Sequence, residues 1–304
     1  MNDKIVNSIY LIRRLKLIKT CCLYKMNHLE LFSGTHSFGK ITSEMGFDVV
    51  SLDRDLDASC PFTDYVSKKH HKEDIMHWDY KQYPKDFFKL ITASPVCTWW
   101  SNLRQSWIGR KLKAHNGAVC TRELLDKDID LYGKPMVDKV FEIIDYFKPE
   151  IYIIENPQGS KMKHYIAESY PHYNNYSDFS YCKFSDWGYQ KNTRFWNNID
   201  GLTHCLCKKD CDNMVITNKQ KIHNNRMGTS KTVEDNGKII RCNTKALREK
   251  YKDFENLQFI KKHKLSVDGG KSKKDILSQF GTNSIFERYR IPPDLVKHVL
   301  DKTL

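Results

Sequence analysis

At 304 residues, 40% hydrophobic and 29% charged, the chain can bury a sizeable core and fits one large domain, or one domain with a smaller insert. Its ten scattered cysteines have no signal peptide before them, and no apolar run reaches membrane-span length, so a soluble chain in a reducing compartment is expected rather than a disulfide scaffold or a membrane protein. The net charge of +13 favours a polyanionic partner, most often nucleic acid, although a lysine-rich proteome gives the same excess.

Residues 1–26 carry a basic segment, Arg13 to Lys19, with leucines and an isoleucine between the charges, and read as an extension. Ordered pattern starts after Met26, which is a candidate start. His28 to Phe32 predicts a first strand. In the following Ser33-Gly34-Thr35-His36-Ser37, small residues and a glycine let the backbone approach a ligand, and Ser37 is placed to cap a helix running to about Met45. Val49 to Asp53 predicts a second strand that ends in an acid. Strand, glycine-containing turn, helix and acid-ended strand is the nucleotide-binding βαβ order, in which the acid takes the ribose hydroxyls. One glycine stands where a pyrophosphate loop has three. The pattern therefore favours an adenosine ligand without a pyrophosphate, such as S-adenosylmethionine, over the ordinary strand-to-helix turn that shares it.

Glu73 to Tyr80 supplies a further acid, Asp74, suited to an adenine edge or to a plain solvated turn. Phe87 to Ala93 has the composition of a buried strand, which Ser94-Pro95 ends. Cys97 follows just past its carboxyl end, where open α/β sheets bind ligands and where a thiol can act as a nucleophile. A lone cysteine is more often structural. Residues 102–130 are polar, basic and weakly periodic, with Arg104, Arg110, Lys111, Lys113 and Arg122, and predict a mobile loop that closes over the site. Pro135 to Phe147 shows helical spacing at Met136, Val140, Ile143 and Phe147. Ile151 to Ile154 predicts a buried strand that runs into Glu155-Asn156-Pro157. A helix over 160–169 and a β-like stretch over 173–184 follow. The polar turn and strand over 184–196 carry Gln190 and Arg194, candidates to orient a substrate.

Gly201 to Gly281 is lysine- and asparagine-rich with few periodic runs, as in a small irregular insert that touches a partner. Cys205, Cys207 and Cys211, with His204 and His223 nearby, offer zinc ligands, but C-x-C-x3-C is not the paired C-x-x-C of common zinc modules. Reduced cysteines packing a small subdomain are preferred, so no metal is expected. Core-like pattern returns at Arg288 to Pro293 and in a short helix through Leu300, which predicts that the last segment rejoins the first domain.

In order and spacing these segments resemble the cytosine-5 DNA methyltransferase family from about Asn27 onward, with the texture of short members from large DNA viruses and phages. Leu31-Phe32-Ser33-Gly34-Thr35 resembles the motif that binds S-adenosylmethionine, Asp53 the acid that holds its ribose, and Asp74 the acid that meets its adenine amino group. Ser94-Pro95-Val96-Cys97 resembles the proline-cysteine nucleophile motif and Glu155-Asn156-Pro157 the Glu-Asn motif. Gln190 to Arg194 resembles the glutamine-arginine motif, and Asn283-Ser284 the motif that closes the cofactor pocket. The chain departs from the pattern at Val96, where proline is usual, at Pro157, where valine is common, and in having one arginine where the glutamine-arginine motif has two. His36 replaces a small residue of the first loop, where it is expected to crowd the cofactor.

The resemblance implies an α/β fold: a Rossmann-like S-adenosylmethionine-dependent methyltransferase sheet with a small irregular target-recognition insert. It divides the chain into an extension (1–26), a catalytic domain (27–200), a target-recognition region (201–281) and a C-terminal segment (282–304). It implies an enzyme, a monomeric DNA (cytosine-5)-methyltransferase acting on double-stranded DNA, with the host cell of a virus as one setting. Cys97 would add to carbon 6 of a flipped cytosine, Glu155 would hydrogen-bond ring nitrogen 3, and Arg194 would orient the base; the sulfonium methyl then passes to carbon 5, the carbon 5 proton leaves, and Cys97 is released. Phe32, Ser33, Gly34, Thr35, Asp53, Asp74, Ile75, Pro95, Asn283 and Ser284 would surround the cofactor, and Asn156, Pro157 and Gln190 the substrate. A basic surface would contact the phosphates. A tRNA cytosine-5 methyltransferase and a catalytically silent DNA-binding homologue are the alternatives.

Overall fold

A computed structural model describes residues 26–60, 64–217, 220–223, 232–242, 245–254 and 289–302. Five strands form a parallel array: β1 (Asn27–Leu31), β2 (Asp48–Leu52), β3 (Lys69–His71), β4 (Leu90–Ala93) and β5 (Ile151–Pro157). Two more, β6 (Tyr176–Ser180) and β7 (Asn192–Asn197), complete a seven-stranded sheet of order β3-β2-β1-β4-β5-β7-β6, in which β7 runs antiparallel to both neighbours. This is the expected Rossmann-like α/β sheet. Its central strands are apolar on both sides, as parallel strands covered by helices must be: Leu90 through Ala93 and Tyr152 through Ile154 are all buried.

Helix α1 (Ser37–Glu44) follows β1. Helices α2 (Arg122–Asp128), α3 (Lys134–Phe147) and α4 (Met162–Ser169) flank the strand-bearing core segments. One face of the sheet packs Ile91, Ile154 and Trp196 against Phe141 and Ile144 of α3 and Ile166 of α4. On the other face Phe38 and Ile41 of α1 meet Leu295, Val296 and Val299 of α6 (Pro293–Leu300). The backbone N–H of Ile291 also donates to Ser37 Oγ at 3.0 Å. Ile291 and helix α6 thus pack against α1 on this face of the sheet.

Ser37 does not cap α1. It lies inside the first turn, and the capping position is His36, which makes no side-chain cap bond. The acceptor is the Glu30 carboxylate, reaching from β1 to the backbone N–H groups of Phe38 and Gly39 at 3.0 Å each. A Cβ at Gly39 would press into the Glu30 carboxylate, which would have to shift from its place at the helix end.

Residues 102–130 are more ordered than their weak periodicity predicts. They form short 3-10 turns at Asn102–Trp107 and Lys113–His115, then α2 and a π-helical turn at Ile129–Gly133. Arg104, one of the basic residues of the expected mobile loop, is 3% exposed and is bound to the buried Asp128 carboxylate, beside the rings of Trp99 and Trp107. His115 Nε2 approaches the same carboxylate at 3.1 Å. Past Gly201 the described residues form two hairpins, β8 (Met214–Thr217) with β9 (Gln220–His223) and β10 (Thr232–Asp235) with β11 (Lys238–Arg241), then α5 (Lys245–Lys250).

Candidate active site

Strand register lines up four neighbouring strand ends. Leu31 is level with Leu52 on one side and with Ala93 on the other, and Ala93 is level with Ile154. The next residues, Phe32, Asp53, Ser94 and Glu155, therefore share the carboxyl rim of the sheet. Between β1 and β4 the sheet changes its direction of growth, the point where open α/β sheets leave a crevice for ligands.

The loop after β1 is strained. Phe32, Gly34 and His36 take left-handed φ values of 53°, 51° and 52°. Gly34 N donates to Asp53 Oδ2 at 3.0 Å, while Asp53 Oδ1 accepts from the N–H groups of Asp55 and Leu56 at 2.9 Å each. The acid is thereby fixed against the loop. Ser33 Oγ is buried with no hydrogen-bond partner among the described residues, and a Gly34 Cβ would meet only the Phe32 carbonyl, at 3.7 Å. An orphaned hydroxyl, a bare glycine and a fixed carboxylate on one rim fit an adenosine-bearing group such as S-adenosylmethionine. Thr35 is buried beside them, its hydroxyl 3.0 Å from that of Ser37. Farther along, Asp74 Oδ1 accepts from Met76 N at 3.0 Å, Oδ2 accepts from Arg54 Nη1 at 3.4 Å, and Ile75 is buried.

The His36 ring is committed to a buried network rather than left free to crowd a ligand. Its Nδ1 lies 3.3 Å from Glu30 Oε2 and its Nε2 3.2 Å from the Asp57 carbonyl. Burial disfavours the charged ring, but the hydrogen bond and charge of Glu30 outweigh it and raise the His36 pKa.

Cys97 opens a tight turn past β4, with Trp100 N donating to its carbonyl at 3.2 Å. The turn is anchored by Asn156 Nδ2, which donates to the Pro95 carbonyl at 2.9 Å. Burial pushes the Cys97 thiol pKa up, the Glu155 carboxylate adds to that push, and Lys191 opposes it. Glu155 itself is 7% exposed and accepts from the Thr193 hydroxyl across the β5–β7 ladder. A thiol, a buried carboxyl group and a cation thus act on one another's charge at this rim.

No protein-family model matches the chain. A curated protein of Frog virus 3 (isolate Goorha), described as a probable DNA (cytosine-5)-methyltransferase, is 36% identical over 193 residues, covering 62% of this chain and 79% of that protein. The chain belongs to the DNA (cytosine-5)-methyltransferase family. Among solved structures, a triple mutant of Spodoptera frugiperda DNMT2 is 11% identical with a TM-score of 0.45, covering 91% of this chain and 99% of that one. The Entamoeba histolytica methyltransferase EhMeth is 12% identical with a TM-score of 0.46, covering 92% and 98%.

Within this methyltransferase, Arg194 does not join Glu155. The antiparallel register pairs Asn156 with Arg194 and Glu155 with Phe195. Alternation along β7 therefore sends Arg194 to the face opposite Glu155. There its Nε and Nη2 bind Asp178 at 2.8 and 2.9 Å, and its guanidinium stacks 3.4 Å from the centre of the Tyr176 ring. Gln190 is exposed, and its Nε2 donates to Asn192 Oδ1 at 3.3 Å and to the Cys207 carbonyl at 3.5 Å. Pro157 pairs with Thr193 at the end of β5. Asn283 and Ser284 lie outside the described residues.

Sequence reasoning missed Thr193, Lys191 and Tyr181. The first two stand inside the glutamine-arginine stretch, but their approach to Glu155 depends on the β5–β7 register, which neither strand's own sequence encodes. Tyr181 is fully buried, receives a hydrogen bond from Lys191 Nζ at 3.2 Å, and feels the Glu155 charge. The cysteines of the insert also regroup. Cys205 pairs with Phe179 along the β6 edge through its backbone, and Cys182 takes its place beside Cys207, Cys211 and His223. Linear spacing could not find Cys182, which belongs to the turn after β6. Among the described residues no helix is long and apolar enough to cross a membrane.

Proposed function

We propose that this chain transfers the methyl group of S-adenosylmethionine to carbon 5 of cytosine in double-stranded DNA. The observation that carries the reading is the Asn156–Pro95 bond, which ties the turn bearing Cys97 to the strand end bearing Glu155, on the rim that also bears the strained loop and Asp53. The description of the viral relative as a probable DNA (cytosine-5)-methyltransferase supports the same substrate.

The Cys97 thiolate would add to carbon 6 of the base, breaking its aromaticity and giving carbon 5 enamine character. Glu155, oriented by Thr193, would hydrogen-bond ring nitrogen 3 and disperse the charge that develops there. Lys191 would favour the thiolate. Ser33, Gly34 and Asp53 would hold the cofactor, which supplies an electrophilic methyl group when bound. Arg194 would act indirectly, by fixing the β6–β7 pair through Asp178.

A stacked base cannot reach Cys97, so the target must leave the duplex. The segment after Cys97 exposes apolar side chains among its cations: Leu103 is 80% exposed and Val119 50% exposed, near Arg110, Lys111 and Lys113. Such a surface suits contact with phosphates and with an opened duplex. Division of the chain into a catalytic domain over 27–200 and a target-recognition region over 201–281 belongs to this proposal.

The test is incorporation of labelled methyl from S-adenosylmethionine into duplex DNA, with tRNA offered in parallel and Cys97→Ala as control. Label in DNA that vanishes in the variant is the expected result. Label confined to tRNA refutes the DNA substrate, and label that survives Cys97→Ala refutes the nucleophile.

A further inference from the structure

Three thiols and one imidazole converge at the edge of the sheet. The ligating atoms of Cys182, Cys207, Cys211 and His223 all lie within 4.8 Å of one another, with Cys207 Sγ 3.5 Å from His223 Nε2. They come from three separate places. Cys182 sits in the turn Tyr181–Lys183 after β6, Cys207 and Cys211 in the segment between β7 and β8, and His223 at the end of β9.

The convergence is built by groups other than the sulfurs. Cys207 N donates to Ser180 Oγ at 2.9 Å. Asn213 Nδ2 donates to the carbonyls of Cys182 and Ser185 at 2.9 and 2.7 Å. Asp210 joins Lys183 Nζ at 2.9 Å and Lys208 N at 3.0 Å. These bonds pin both cysteine-bearing segments, and none of the three cysteines is in a disulfide.

We propose that Cys182, Cys207, Cys211 and His223 form a structural zinc site that fastens the β8–β9 hairpin to the catalytic sheet. A tetrahedral centre with Zn–S bonds of about 2.3 Å places its sulfurs about 3.8 Å apart, so the observed spread closes by an inward shift of about 1 Å. A set of three sulfurs and one nitrogen selects zinc over calcium or magnesium, which take oxygen ligands. Binding replaces three S–H protons by the metal and releases them to solvent, leaving a centre of net charge −1 beside Lys183 and Lys208. All four coordination positions are filled by protein, so the centre is closed and holds structure rather than activating water. Its place matters because Gln190 and Lys191 precede β7 on the same edge. The Gln190 side chain already contacts the Cys207 carbonyl, so the metal would set the position of the insert relative to Cys97.

The full chain, expressed with zinc and purified without chelators, is analysed by elemental mass spectrometry and by dye-detected metal release on thiol modification. One zinc per chain is expected. Cys182→Ser and His223→Ala should fall to near none, while Cys205→Ser keeps its metal. Folded wild-type chain carrying no zinc, or loss of zinc in Cys205→Ser with retention in Cys182→Ser, overturns the proposal. Should the ligand variants fail to fold, cobalt substitution of the wild-type chain decides. Intense tetrahedral visible bands with thiolate charge transfer support the site, and a weak octahedral spectrum overturns it.

Discussion

Asn156 and Pro95 are joined by a 2.9 Å hydrogen bond that ties the end of β5 to the turn two residues before Cys97. Asn156 is fully buried, and its Oδ1 has no hydrogen-bond partner among the described residues. One side chain thus aligns the strand end bearing Glu155 with the turn bearing Cys97. Replacing Asn156 by Leu removes that alignment without adding charge. Methyl transfer is expected to fall on the order of a hundredfold, the scale of an ångström-level misplacement of a reacting group. Cofactor affinity should stay within about twofold, since Ser33, Gly34 and Asp53 are untouched. Equal turnover in the two proteins would show that the bond does not position the nucleophile.

The raised pKa of Cys97 makes a pH prediction with two opposite arms. At neutral pH the thiol form predominates, so alkylation of Cys97 should accelerate as pH rises. Lys191→Met removes the cation that favours the thiolate and should move the profile to higher pH. Glu155→Gln removes the opposing negative charge and should move it to lower pH, even though methyl transfer collapses. Measuring alkylation rather than turnover separates the thiol from the rest of the chemistry. Profiles that coincide across the three proteins would rule out the coupling.

Arg194 and Asp178 form a pair whose side chains are 11% and 7% exposed. Breaking such a pair from one side leaves a buried charge, at a cost of roughly 3–5 kcal/mol. Arg194→Met should therefore lower thermal stability, and Asp178→Leu together with Arg194→Met should recover part of the loss. If Arg194→Met kept its melting temperature and lost only turnover, direct contact with the base would replace the positioning role.

His28 carries a stability prediction. Its ring is fully buried between the hydroxyls of Thr42 and Thr92, each 2.8 Å away, and burial lowers its pKa from 6.5 to about 4 despite the nearby Glu30. The unfolded chain binds this proton first on acidification, so stability rises with pH across this window. The contribution is complete above pH 6.5 and declines as pH falls towards about 4, by about 3 kcal/mol in all. Urea titrations from pH 7.5 to pH 4.5 should show that slope in the wild type and a shallower one in His28→Gln.

The sequence alone determined the elements whose signal is local. Apolar runs bounded by Asp53, Pro95 and Glu155 mark strands that end in chemistry, because a parallel strand is buried along its length and only its end meets solvent. Helical spacing marks α3, and the order of the motifs marks the family. What tertiary structure decided is everything that depends on which residues face each other across long sequence separations. Register across β5 and β7 sends Arg194 away from Glu155 and brings Thr193 to it, and no single strand's pattern encodes the register of its neighbour. The cap of α1 comes from Glu30 on β1 rather than from Ser37, because a strand carboxylate can reach the helix end once the two are packed. Arg104 is buried because Asp128, from the next helix, neutralises it. Cys182 joins Cys207, Cys211 and His223 only when the turn after β6 folds against the insert.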